Sequence, residues 1–117
     1  MTTPPDPTTA ALPVTLNAII QEVERATRKF PRWPTDPLHA VAIVAEEMGE
    51  LQKSVLESVY ESHKGTRDNI RVEAIQTAAM CIRFISSLDI YEYYPSEQHL
   101  QCCVPVSARP EGEKARG

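Results

Sequence analysis

The segment "DPLHAVAIVAEEMGELQKSVLE" (residues 36–57) decides the fold of this 117-residue chain. Asp36 is a favoured helix N-cap, and Pro37 suits the first helical position, where no N–H is needed. Apolar residues then recur at helical spacing along one broad side, and charged residues follow the opposite side. The apolar side consists of Val41, Val44, Met48, Leu51, Val55 and Val59. The pattern predicts a helix that runs to about Lys64 and ends at Gly65 as its C′ residue.

Two further long helices are predicted around this one. The first covers about residues 15–29, with Thr15 as its cap and the prolines of "KFPRWP" (29–34) as its end. The third covers about residues 68–88 and is apolar around most of its circumference, so several neighbours should bury it. Its short connection to the second helix predicts an antiparallel hairpin. A short fourth helix is predicted from Ser96, and the fold class is all-α.

Composition and charge divide the chain into one domain with two loose ends. Residues 1–13, rich in Pro and Thr, predict a flexible arm, and residues 102–117 predict a polar tail. Residues 14–101 are predicted to form one all-α domain. Its hydrophobic core would be too small to make a monomer more than marginally stable, so we expect an oligomer. A net charge of −4 does not attract nucleic acid. No stretch is typical of a signal peptide or a membrane span, which predicts a cytoplasmic protein without a membrane partner.

Three carboxylates lie close together on the second helix. Glu46, Glu47 and Glu50 fall within five positions, and like charges three or four residues apart on a helix repel one another. One interpretation is a solvated acidic face that Lys53 and Lys64 balance. The other interpretation is a site that concentrates negative charge to bind cations.

Glu73 favours the second interpretation, because its helix is too apolar to lie on the surface and a buried carboxylate needs a partner. Arg83, ten residues further on, is too distant for a direct pair on the same helix, although it could bridge to another one. An antiparallel hairpin instead brings Glu73 opposite the acids of the second helix. Four converging carboxylates favour Mg²⁺ or Mn²⁺. No His or Cys lies beside them for zinc, and neither Glu50-x-x-Lys53 nor Glu73-x-x-Gln76 supplies the Glu-x-x-His of a di-iron bundle.

"EEMGE" (46–50) and "EAIQ" (73–76), with 22 residues between them, resemble the EExxE…ExxD signature of the MazG-like all-α nucleotide pyrophosphohydrolases. The resemblance covers roughly residues 15–90. It implies the all-α NTP pyrophosphatase type of helical bundle, assembled as a homo-oligomer, with a tetramer built as a dimer of dimers. Gln76 stands where the family has Asp. Its oxygen could be a weaker metal ligand, or its amide could orient a water or touch a phosphate.

The resemblance implies hydrolysis of a nucleoside triphosphate to the monophosphate and pyrophosphate with two or three Mg²⁺ or Mn²⁺ ions. It implies Glu47, Glu50 and Glu73 as catalytic metal ligands, and Glu46 as a fourth ligand or as the base that positions water. Short phage members, including the MazZ type, imply GTP or dGTP as substrate and dGMP for 2-aminoadenine nucleotide synthesis in the host cytoplasm. Two alternatives stay open: a non-catalytic oligomerisation or regulatory module, which Gln76 favours, and a dUTPase-like enzyme for pyrimidine nucleotides.

Two cations are candidates for binding the phosphates. Lys53 lies one turn beyond Glu50 on the same stripe, and its alternative role is an ion pair with that residue. Arg83 continues the line of Glu73 along the third helix and could reach a phosphate, either in its own subunit or in a neighbouring one. Its alternative role is a buried salt bridge.

Four other side chains are candidates for contacting the base or sugar. Trp33, the only tryptophan, could stack on a base or could plug the end of the bundle. Asn17 and Asn69 could read the edges of a base. His39 lies two turns before the acids and could contact sugar or base, or could be an ordinary surface histidine.

Overall fold

The computed structural model describes residues 2–93. These residues form α1 (Thr8–Lys29), α2 (Pro37–Tyr60), α3 (Arg67–Ser86) and a 3₁₀ turn (Leu88–Ile90). They contain no strand, so the all-α prediction is confirmed for this part of the chain. No helix among them has the length and apolar character needed to cross a membrane. The predicted helix from Ser96 and the predicted tail at 102–117 lie outside the described residues.

α3 packs against both α1 and α2 and is therefore the central helix. Its pairing with α2 is antiparallel, as the following contacts indicate. Gly65, just before α3, lies against Ser58 near the end of α2. Ile43, near the start of α2, packs against the core cluster that contains Ala79 and Met80, far along α3. This arrangement brings the carboxylates of the two helices to the same level of the bundle.

The caps explain where α2 and α3 begin. The Asp36 carboxylate accepts a hydrogen bond from the Leu38 N–H at 2.9 Å, and Pro37 occupies the first turn, as predicted. The Thr66 hydroxyl oxygen accepts one from the Asn69 N–H at 3.1 Å. α3 ends at Ser86, two residues before its predicted end.

α1 begins seven residues earlier than predicted. The Thr8 N–H donates to the Asp6 carboxylate at 2.8 Å, which satisfies a donor that a helix start leaves free. The predicted cap at Thr15 is therefore wrong, and residues 8–13 of the predicted arm are helical. Pro13 lies inside the helix and removes one of its backbone hydrogen bonds. The prediction had placed the start of the helix after Pro13, because prolines are uncommon inside helices.

Gly65 is not the C′ residue of α2, as the sequence had predicted. α2 ends at Tyr60, and the Glu61 N–H still donates to the Glu57 carbonyl at 2.8 Å. A Cβ at Gly65 would lie 2.6 Å from the Ser58 nitrogen and 2.9 Å from the Glu57 carbonyl carbon. Glycine is needed here because the returning chain passes directly against the backbone of α2.

The core of the described residues is small. Its buried members are Ala26, Ala79 and Met80, with Val23, Trp33, Ile43 and Val44 packed around them. No large side chain among residues 2–93 is fully buried. Val72 and Ile85 of α3 are 49% and 63% exposed, so neighbours within the single chain do not bury α3 nearly all round, contrary to the prediction.

Candidate functional site

A cleft of about 550 Å³ lies beside the core and is lined by all three helices and by the α1–α2 connection. Its volume is typical of sites that bind small molecules. Six residues predicted from the sequence line it, namely Trp33, His39, Glu46, Glu47, Gln76 and Arg83. The fold thus brings together two of the predicted acids, Gln76 and three candidate substrate contacts, from parts of the chain that lie far apart in sequence.

Glu47 is the electrostatic centre of the acidic end. It is half-buried on the side of α2 that faces α3. Its pKa is raised above the ordinary value, first because burial disfavours the charged form, and then because the carboxylates of Glu73, Glu46, Glu50 and Glu22 are near. α3 therefore carries Glu73 into electrostatic range of the α2 acids, and negative charge is concentrated there.

These acids do not form a preassembled metal shell. Within residues 2–93, no three side chains of His, Cys, Asp or Glu lie close enough together to hold a metal ion. The donors are nevertheless hard carboxylate oxygens, which are the ligands that Mg²⁺ and Mn²⁺ prefer. A glutamate side chain has several rotatable bonds. The carboxylate oxygens suit these ions, but the glutamate side chains have to rotate before several of them can bind the same ion.

α1 contributes two charged residues that the sequence had not singled out. Arg25 donates from Nε to one carboxylate oxygen of Glu22 at 2.8 Å and from Nη2 to the other at 2.5 Å. This hydrogen bonding lowers the pKa of Glu22, whereas that of Glu47 is raised. Glu22 precedes the buried Ala26 by four residues and so shares its face of α1. Recognising Ala26 as a core residue would have placed Glu22 at the cleft.

Arg83 forms the other end of the cleft. It is only 9% exposed, and its Nη2 donates to the Phe30 carbonyl oxygen at 2.7 Å. Its guanidinium carbon lies 4.8 Å from the centroid of the Trp33 ring. No carboxylate in residues 2–93 pairs with it, so a carbonyl and an aromatic ring take the place of the predicted buried salt bridge. Burial lowers the pKa of Arg83, but a guanidinium remains charged in proteins.

Trp33 is fixed by contacts on several sides. Its indole N–H donates to the Tyr91 hydroxyl at 2.9 Å, and that hydroxyl donates to the Phe84 carbonyl at 3.0 Å. The ring packs against the core, and Arg83 covers one of its faces. These contacts agree with the predicted alternative of a plug at the end of the bundle. Tyr91 was missed, because its sequence context indicated only a tyrosine-rich turn.

Two more cations line the same cleft. Lys29 and Arg32 stand on either side of Phe30 and Pro31 in the sequence, next to the carbonyl that Arg83 contacts. The Lys29 ammonium lies 5.4 Å from the centroid of the Phe30 ring. Neither cation forms an ion pair with a carboxylate in the described part of the chain. Positive charge therefore collects at one end of the cleft.

The remaining predicted residues lie away from the cleft lining. Lys53 lines a separate surface of α2, and no ion pair joins it to Glu50 in residues 2–93. Asn17 and Asn69 are exposed on α1 and at the start of α3. Glu50 and Glu73 are not lining residues either, but both act on the pKa of the neighbouring Glu47.

The likeness to the MazG-like enzymes rests on the two short motifs at residues 46–50 and 73–76. No protein-family model, curated protein or solved structure matches the chain.

Proposed function

We propose that this chain is a Mg²⁺- or Mn²⁺-dependent nucleoside triphosphate pyrophosphohydrolase, which converts an NTP or dNTP to the monophosphate and pyrophosphate. The observation that carries the proposal is the cleft itself. At one end, Glu47 has a raised pKa, first because burial disfavours its charged form and then because other carboxylates lie near it. At the other end, Lys29, Arg32 and Arg83 bring positive charge. An acidic cation site next to an anion site in one cleft suits a metal-bound polyphosphate.

The glutamates divide into proposed roles. Glu47, Glu50 and Glu73 are the proposed metal ligands, and Glu46 is a further ligand or the base that positions the attacking water. Gln76 lines the cleft with Glu46 and Glu47 and could add a neutral oxygen donor. Bound Mg²⁺ or Mn²⁺ would neutralise phosphate charge and lower the pKa of a bound water. Without such ions, the acids would repel the substrate that the cleft has to hold.

GTP or dGTP is the proposed substrate, and dGMP for 2-aminoadenine nucleotide synthesis in a phage is the proposed use of the product. The support is the resemblance to short phage members of the family. His39 lines the cleft and is the candidate for contacting sugar or base. Asn17 and Asn69 lie outside the cleft, so they would reach a substrate only from another copy in the proposed homo-oligomer.

The test is hydrolysis of a panel of NTPs and dNTPs with Mg²⁺ or Mn²⁺, with the products separated by chromatography. We expect monophosphate and pyrophosphate, most rapidly from a guanine nucleotide. Glu50→Gln and Glu73→Gln should each reduce turnover by about a hundredfold or more, with unchanged helicity by circular dichroism. Glu57→Gln, at the next glutamate of α2, is the matched control and should keep its activity.

Gln76→Asp extends the same experiment to the residue that departs from the family signature. A carboxylate is a stronger ligand for a hard cation than a neutral amide. If Gln76 contacts metal, the variant should bind Mn²⁺ more tightly in a calorimetric titration. Unchanged affinity would place Gln76 outside the ligand set without affecting the proposed reaction.

A non-catalytic oligomerisation or regulatory module is the second candidate. Two observations favour it: Gln76 replaces a ligand of the signature, and α2 exposes Leu56, Val59 and Tyr60 by 57%, 65% and 79%. An assembly without turnover of any nucleotide by the metal-loaded protein would establish this candidate in place of the enzyme. A dUTPase-like enzyme would instead release monophosphate from pyrimidine nucleotides alone.

A further inference from the structure

Most acidic and basic groups occupy separate parts of the cleft, and the exception is Arg25, which pairs with Glu22 beside the acids. On α3, Gln76 lies beside the acids of α2, and Arg83 follows seven residues later. That spacing corresponds to roughly 10 Å along a helix. On α2, His39 precedes Glu47 by eight residues, or roughly 12 Å. A ligand that spans the cleft would therefore meet carboxylates at one end and cations at the other.

Arg83 is held in place before any ligand arrives. The Phe30 carbonyl fixes one of its nitrogens, and the Trp33 ring lies against its planar group. Trp33 is fixed in turn by the Tyr91 hydroxyl. An ordered guanidinium loses less conformational entropy when it binds an anion than a free one does. Arg83 itself lines the cleft.

We propose that Arg83, Arg32 and Lys29 form a subsite for the polyphosphate group of the ligand, with Trp33 and Tyr91 as positioning residues for Arg83. The identification of that ligand as a nucleoside triphosphate rests on the proposed function. The affinity of the subsite for a bare polyphosphate does not rest on the proposed function, because that affinity depends on these side chains alone.

The geometry favours a polyphosphate over a base at this end. Arg83 already covers one face of Trp33, so that face is closed to stacking. Three cations without carboxylate partners in residues 2–93 line the region, in a chain whose net charge is −4. Arginine presents a planar set of donors that matches phosphate oxygens. Polyphosphate brings enough negative charge to use all three cations.

The test is binding of inorganic tripolyphosphate to the full chain in the presence of EDTA. EDTA removes divalent ions, so the carboxylates cannot capture the anion through a metal. Trp33 is the only tryptophan, and its fluorescence should change on binding because it contacts Arg83. Calorimetry gives the affinity independently. We expect saturable binding that weakens as the salt concentration rises.

Variants of the exposed cations carry the test, because replacing the buried Arg83 could unfold the chain. Arg32→Gln and Lys29→Gln should each weaken tripolyphosphate binding by about tenfold, the size of one charge-assisted hydrogen bond. Arg28→Gln is the matched control. It makes the same charge change on the last turn of α1, but Arg28 does not line the cleft, so the affinity should stay near that of the wild type.

Tyr91→Phe tests the positioning role. It keeps the aromatic ring, whose centroid lies 5.2 Å from that of the Phe84 ring, and removes the hydroxyl that accepts from the Trp33 N–H. We expect about a threefold loss of tripolyphosphate affinity, and in the enzyme assay a higher KM with unchanged kcat. A fall in kcat at constant KM would overturn the positioning role.

The outcomes separate this subsite from the proposed function. The subsite is supported if Arg32→Gln weakens tripolyphosphate binding and Arg28→Gln does not, even if no nucleotide is hydrolysed. Nucleotide hydrolysis without any tripolyphosphate binding overturns the subsite and leaves the enzyme intact. Equal losses in Arg32→Gln and Arg28→Gln also overturn it, because only overall charge would then matter.

Discussion

Glu47 shows how one side chain couples folding to cation binding. Its pKa is raised from the ordinary value of 4.5 by burial and by neighbouring carboxylates. A raised pKa means that the folded state binds the proton more tightly than the unfolded state does. The stability that Glu47 contributes is therefore fully present below about pH 4.5 and is lost as pH rises through the folded-state pKa. At neutral pH and without divalent ions, its charge opposes folding.

Glu47→Gln should consequently stabilise the metal-free chain at about pH 8, where the wild-type carboxylate is charged. We expect the free energy of unfolding to rise by a few tenths of a kcal/mol, the size of a like-charge repulsion on a helix. The gain should shrink when the pH is lowered to about 5, because a carboxyl group with a raised pKa takes up its proton at a higher pH than an ordinary one. Urea unfolding in EDTA at both pH values measures it.

Glu24→Gln, at an exposed carboxylate of α1, is the control for the loss of one negative charge. Its effect on the free energy of unfolding should differ little between the two pH values. A lower free energy of unfolding for Glu47→Gln at the higher pH would contradict the repulsion argument. It would mean that the Glu47 carboxylate has a favourable partner in the folded protein.

At the scale of the helices, the beginnings of α2 and α3 followed from local sequence, whereas the ends did not. Asp36 and Thr66 cap their helices through hydrogen bonds to residues two or three positions away, so a short window of sequence contains the signal. The role of Gly65 depends on contact with α2, which no such window contains. The early start of α1 was missed for a different reason. Its signal is local, since Asp6 supplies the acceptor two residues before Thr8, but Pro13 was expected to lie outside the helix and is instead tolerated inside it.

Gly65→Ala should destabilise the hairpin. The added Cβ would lie under 3 Å from backbone atoms of Ser58 and Glu57, so the α2–α3 connection has to shift. We expect a loss of about 1–3 kcal/mol in the free energy of unfolding, as for other overpacked sites, measured by chemical denaturation.

Gly49→Ala is the matched control for that variant. Nothing lies within 4 Å of a Cβ built at Gly49, and alanine is the better helix former by about 0.8–1 kcal/mol. The free energy of unfolding should therefore rise. Similar losses at Gly49 and Gly65 would show that the close approach at the connection is not what requires glycine.

At the scale of the whole molecule, α2 uses its smaller residues for the intramolecular contact. Ala40 and Ser54 are its buried residues, whereas Val41, Met48 and Val55 are 40–47% exposed. These three follow one another at seven-residue intervals and form an apolar stripe. The sequence predicted one apolar side for α2, but it could not show that α3 would take the neighbouring face. The exposure of this stripe supports the proposed oligomer.

Val59→Glu should therefore reduce the mass of the native protein measured by light scattering. Val59 continues the stripe four residues after Val55 and is 65% exposed, so burial in an interface would contribute about 1 kcal/mol or more. A charge there should weaken assembly by tenfold or more.

Val14→Glu makes the same change at a residue of α1 that is 77% exposed, and the mass should stay unchanged. A wild-type protein that is monomeric at all concentrations would contradict the proposed assembly. Equal effects of both variants would show that the apolar stripe of α2 is not the contact surface.

The candidate site was partly predictable for the same physical reason. The acids lie at i, i+1 and i+4 on one helix, and one antiparallel neighbour adds Glu73, so periodicity brings them together. Arg83 and Trp33 were named from the sequence, but their contact, and the hydrogen bond from Trp33 to Tyr91, were not. Those contacts join separate segments through packing, and periodicity does not encode them.

The Trp33–Tyr91 hydrogen bond also determines how short a working version of this protein can be. It joins residues 58 positions apart, and the Glu92 N–H adds a second link to the Thr35 carbonyl at 2.8 Å. A chain cut after Ser86 would keep α1, α2 and α3 and every proposed metal ligand. It would lose both links, and the indole beneath Arg83 would be left without its acceptor. The smallest functional unit therefore extends past α3, and a truncation guided by helix boundaries alone would keep the acids but not the order of the cationic end.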